Sequence, residues 1–75
     1  MRKIIDEFKI SESGLLILTL DKKIPDNFNG KILIRGKEYN AHLVSFDGEE
    51  LDLMLRNIAI KTSEVGFIGK DVAFV

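Results

Sequence analysis

Few residues in this chain have the type and spacing that chemistry needs. His42 is the only histidine, and there is no cysteine. A zinc site takes several His or Cys ligands, so no metal centre is expected. No serine stands in a nucleophile motif with a base to activate it. His42 therefore reads as a partly buried side chain bonded to backbone, and a catalytic base in a small enzyme or ligand carrier is the competing reading. Asp47, Glu49, Glu50 and Asp52 form the densest acidic group. They lack the twelve-residue calcium-loop pattern, and they read as a solvated hairpin tip. No Gly-rich phosphate loop of either common type occurs, so neither nucleotide hydrolysis nor a cofactor is expected.

A second group is basic. Lys22, Lys23, Lys31, Arg35 and Lys37 fall in the middle of the chain, with Tyr39 and Phe28 close in sequence. Cations interleaved with aromatic rings are the ingredients of a single-strand nucleic-acid surface. Lysines on edge strands also serve simply to block aggregation. Asp21, Asp26 and Glu38 dilute the group, and the net charge of −1 argues against tight binding to phosphate backbones. On an RNA-binding reading, Lys31, Arg35 and Lys37 share one exposed face.

The elements that must position these residues are short apolar runs cut by Gly and Asx turns. The runs are Ile4 to Ile10, Leu15 to Leu20, Lys31 to Arg35, Glu38 to Phe46, Glu50 to Leu55, Ile58 to Ile60 and Asp71 to Val75. That rhythm predicts one small all-β domain spanning residues 1–75, a barrel or a sandwich. The continuous run Leu15 to Leu20 suits a strand covered on both faces or crossing the core. Ile24 to Gly30 reads as a loop, since Pro25 lacks a ladder N–H, and Phe28 pins it to the barrel.

Two hairpins are predicted. Asp47-Gly48 suits a type I′ turn, which sets Val44 opposite Leu51 and His42 opposite Leu53. Gly36-Lys37 suits a type II′ turn, which sets Ile34 opposite Tyr39 and Ile32 opposite Ala41. The first makes even positions of Glu38 to Phe46 face the core and the second makes odd ones do so. A one-residue slip reconciles them, so a β-bulge is expected between about Asn40 and Leu43. The predicted core is Phe8, Ile10, Leu16, Leu18, Ile32, Ile34, Val44, Leu51, Leu53, Leu55, Ile58, Ile68, Val72 and Phe74.

Seventy-five residues make one domain, and one this small buries roughly 60% of its unfolded surface. No disulfide can reinforce it. The basic start Met1-Arg2-Lys3 is followed by Ile4-Ile5 and then acids, so no apolar leader follows. The longest uncharged run, Gly14 to Leu20, falls far short of the roughly 20 residues that span a bilayer. A cytoplasmic, membrane-free chain is expected.

Gly30 to Lys37, then Leu53-Met54-Leu55-Arg56-Asn57-Ile58, then Phe67-Ile68-Gly69-Lys70-Asp71-Val72 resemble the β-barrel domain of translation GTPases, the second domain of elongation factor Tu and its relatives. They look like that family's Gly-led strand and turn, its Leu-Arg-Gly-Ile stretch and its closing Gly before a last strand. Asp21-Lys22-Lys23 stands where the family usually has a Gly, Asn57 replaces another, and no GTPase motif accompanies the barrel. The resemblance implies a small six- or seven-stranded antiparallel Greek-key barrel that serves as a docking surface for RNA or protein, without catalysis. The expected function is a non-enzymatic module that binds another protein in a translation-related or larger assembly. The alternative is an RNA-binding module on the Lys22–Lys37 surface, with Tyr39 or Phe28 as its stacking platform.

Overall fold

The computed structural model describes residues 2–44 and 55–74. Six strands follow in order: β1 (Arg2–Ile10), β2 (Leu15–Leu20), β3 (Lys31–Ile34), β4 (Lys37–Leu43), β5 (Asn57–Lys61) and β6 (Asp71–Phe74). They close into an antiparallel barrel in the order β1-β2-β5-β4-β3-β6. The turn rhythm left an all-β barrel or sandwich open, and the fold is the barrel. No helix of the described residues is long and apolar enough to cross a membrane. The predicted Asp47-Gly48 hairpin, the acidic group on it and the core assignments of Leu51 and Leu53 lie outside the described residues.

Strand alternation fills the interior. Leu16, Leu18 and Leu20 of β2 point inward with Ile32 and Ile34 of β3, Tyr39 and Ala41 of β4, Ile58 and Ile60 of β5, Val72 of β6 and Ile4 of β1, all buried. At the centre of β2, Ile17 faces outward between Phe8 and Ala59 and is buried as well. The strand is thus covered on both faces, as its unbroken apolar run implies.

Phe8 corrects the predicted core. It is 62% exposed, and Ile10 is only half-buried. The cause is a register shift in β1 between Ile4 and Asp6. Even spacing alone would put Ile4, Phe8 and Ile10 on one face. The shift leaves Ile4 inward, turns Glu7 inward beside Leu18, and sends Phe8 out. The bulge expected in β4 is therefore found in β1. β4 pairs with β5 through Ala41, His42 and Leu43 without a shift.

The β3–β4 turn also differs. Arg35 (φ +53°) and Gly36 (φ +76°) are both left-handed, the signature of a type I′ turn one residue earlier than expected. Ile34 then faces Lys37 and Ile32 faces Tyr39. The offset is two residues, so Tyr39 and Ala41 still point inward. His42, expected to be partly buried, is exposed on the outer wall opposite Ala59.

The strand order dictates two long crossings. β2 and β3 are three places apart around the barrel, and so are β5 and β6. Their connections must therefore pass over the two open ends, one at each. Residues 21–30 cross one end, burying Ile24 and packing Phe28 edge-on against Phe74 at 5.7 Å. Residues 62–70 cross the other end and bury Phe67 completely. Phe67 thus takes the core place predicted for Ile68, which is 55% exposed. A crossing loop has no strand period, so its inward residue could not be read from alternation.

Leu18 is fully buried. Leu18→Ala is expected to cost about 2–5 kcal/mol, whereas Phe8→Ala is expected to change stability by less than about 0.5 kcal/mol. Urea denaturation of both variants checks this, and equal losses would contradict the outward placement of Phe8.

Candidate binding surface at one barrel mouth

The mouth crossed by residues 62–70 holds the densest polar construction among the described residues. Glu7 reaches it because the β1 shift turns its side chain inward. One carboxylate oxygen accepts the Gly66 N–H at 3.0 Å, and the other accepts those of Phe67 at 2.7 Å and Ile68 at 3.2 Å. Gly66 has φ +86°, a conformation that lets successive amides converge on one anion. The Glu7 carboxyl is held below its ordinary pKa, chiefly by the Gly66 amide, then by those of Phe67 and Ile68 and by the Arg35 charge; burial opposes the shift.

Arg35 closes the construction from the β3–β4 turn. It donates to the Gly66 carbonyl at 3.2 Å, and its guanidinium lies 4.9 Å from the centre of the Phe67 ring. The Tyr39 ring meets Phe67 edge-on at 6.0 Å. The Tyr39 hydroxyl donates to one Glu64 oxygen and Lys37 Nζ donates to the other, each at 3.3 Å.

These contacts disperse the basic group read from sequence. Lys22 and Lys23 lie on the loop across the opposite end, where the Arg2 side chain donates to the Lys23 carbonyl. Lys31 points to the outer wall and lies 3.9 Å from Glu38. Lys37 sits on the inward-facing side of β4, its ammonium 5.3 Å over the Tyr39 ring. Lys31, Arg35 and Lys37 therefore do not share one face, because the earlier turn pairs Lys37 with Ile34. Tyr39 is buried, and Phe28 meets Phe74 edge-on.

Sequence reasoning did not single out Glu7, Phe67, Lys9 or Lys61. A Glu inside an apolar strand was the available signal for Glu7. Lys9 and Lys61 both contribute to the walls of a cleft of about 300 Å³ beside the same mouth, with Ser11, Gly14, Thr62 and Ser63. Among the described residues, no cluster of three or more His, Cys, Asp or Glu side chains could hold a metal ion.

The Glu7 clasp predicts an acid-dependent loss of stability. A carboxyl whose folded pKa is depressed stabilises the fold above its unfolded pKa, and the benefit fades as pH falls toward the folded value. Glu7→Ala is expected to cost about 1.5–3 kcal/mol near neutral pH, water at this half-exposed site limiting the sum. Urea midpoints of wild type and Glu7→Gln should differ at neutral pH and converge below the ordinary glutamate pKa. A gap that stays constant with pH would count against the clasp.

No family model, curated protein or solved structure matches this chain.

Proposed function

We propose that this barrel is a non-enzymatic docking module that binds another protein through the outer face of β1 and the loop tied to it. One observation carries the reading. The exposed large hydrophobics among the described residues are Ile5, Phe8, Leu43, Val65 and Ile68. Ile5 and Phe8 lie either side of Glu7 in sequence, Val65 precedes the amides that Glu7 binds, and Ile68 carries the last of them. The clasp thus gathers four of the five on β1 and the loop segment fastened to it. Exposed apolar side chains grouped in this way are the mark of a protein-binding face, and the partner is a protein offering apolar side chains in return.

The packed interior supports an external mode of binding. Barrels of about eight strands are only just wide enough for side chains to fill, and this six-stranded one is closed by Phe67 at one end and Ile24 at the other. The likeness to the translation-GTPase barrel supports the same role, since that domain serves as a docking surface. RNA binding over Lys22–Lys37 has less support. Lys31 and Lys37 are paired with Glu38 and Glu64, and Tyr39 offers no open ring face to a base.

A benzophenone-bearing residue in place of Phe8 tests the reading in extract of the source cells. The expected result is one cross-linked protein partner, also retained by the wild-type domain on a column. The Phe8→Ser/Ile68→Ser variant should lose about tenfold or more of that retention, with an unchanged melting midpoint. Cross-linking only to a second copy of the chain, or to RNA, would overturn it.

A further inference from the structure

We propose that the second half of β1 accepts an extended segment of the partner protein as an added antiparallel strand. The inference rests on the protein-docking reading and names how that partner is held. It follows from the direction in which the backbone of β1 points. The Gly14 carbonyl accepts the Thr62 N–H at 3.0 Å, and the Leu20 N–H donates to the Arg56 carbonyl at 2.9 Å. Backbone groups of successive strand residues address opposite edges. The even positions of β2 therefore address β5. Leu15, Ile17 and Thr19 address β1, where they meet Ile10, Phe8 and Asp6. Glu7 and Lys9 alternate with these partners and turn their own N–H and C=O groups away from β2.

On that far side the neighbour is β6, which pairs with Arg2 and Lys3. Ile4 makes the last backbone bonds, donating to the Lys70 carbonyl at 2.9 Å and accepting the Gly69 N–H at 2.8 Å. There the loop bends: the Lys70 N–H donates to the Phe67 carbonyl at 3.0 Å, with Gly69 at φ +88°. The Glu7 N–H is taken locally, by Asp6 Oδ1 at 2.9 Å. The Glu7 carbonyl and both backbone groups of Lys9 have no backbone partner among the described residues. Open strand groups are a template for another chain, and they select an extended backbone. A partner residue opposite Lys9 exchanges N–H and C=O bonds with it, and the residue two places on donates to the Glu7 carbonyl. The residue between them stands against Phe8 in the close, non-hydrogen-bonded position. Phe8 is exposed on the outer wall, so an apolar side chain is selected there. Lys9 forms no ion pair among the described residues, which favours an acid opposite it. Charges often blunt a strand edge, but here Glu7 is engaged by the loop amides, and the outer face beside the open groups offers an aromatic ring.

Hydrogen exchange and one backbone edit, both on the whole chain, test the strand addition. In the free protein the Lys9 amide is expected to exchange at least about tenfold faster than those of Phe8 and Ile10, which bond to β2. A Lys9 amide protected as well as theirs would overturn the proposal. Chemical synthesis then places a methyl group on the Lys9 backbone nitrogen, which removes the open donor and leaves every side chain intact. Retention of the partner cross-linked through position 8 should fall by about tenfold or more, with an unchanged melting midpoint. An equal loss in Lys9→Gln, which keeps the N–H, would place the effect in the charge and overturn the proposal. If the methylated chain retains the partner fully while Phe8→Ser/Ile68→Ser loses it, strand addition fails and the docking reading stands. If neither change matters, both fail. A Lys9 amide that becomes protected as the concentration of the pure chain rises would assign the edge to a second copy, which also overturns the proposal.

Discussion

A single carboxylate governs one end of this molecule. The connection from β5 to β6 has to cross the barrel mouth, and a segment that leaves the ladder brings backbone amides with no strand to receive them. Glu7 supplies the acceptor for three in succession. A charged acceptor makes each of those bonds stronger than a neutral one would. Once residues 66–68 are held, Phe67 has one place to go, which is down into the mouth. Its ring then gives Tyr39 an edge contact and Arg35 a surface to cover, and Glu64 is left to receive Tyr39 and Lys37.

The clasp depends in turn on the shift in β1. Without it Glu7 would face solvent and Phe8 would compete for the interior. The shift thus makes two exchanges with one extra residue: a carboxylate enters the mouth, and an aromatic ring moves to the outer wall. Closure of the sheet leaves none of the six described strands wholly at an edge. What remains for recognition is the side-chain surface of the wall and the rims, where the exposed hydrophobics stand, and the stretch of β1 that outruns β6.

The charges are distributed to match. The basic residues that cluster in sequence are spread over two ends and a wall by the connection that crosses the barrel, and Lys31 and Lys37 meet acids. Lys9 and Lys61 stand far apart in sequence, yet the antiparallel pairing of β1, β2 and β5 sets both at one rim, Lys9 level with inward-facing Leu16 and Lys61 with outward-facing Leu15. Proximity in the chain therefore misleads about the electrostatic surface, while strand register predicts it.

Much of the architecture was legible in the residues. Turn spacing and apolar runs determined an all-β barrel or sandwich, and two-residue alternation placed Leu16, Leu18, Ile32, Ile34, Ile58 and Val72 inside, because both signals are local and physical. The inward side of Tyr39 and Ala41 was legible too, since a two-residue error in register preserves the face. The side of Phe8 was decided only by the tertiary structure: a single shifted residue reverses every later position, and nothing local announces it. The core role of Phe67, the clasp by Glu7 and the placing of Lys9 and Lys61 at one rim were also settled there. Each joins positions that are distant in the chain, through a closure whose order local propensities do not encode.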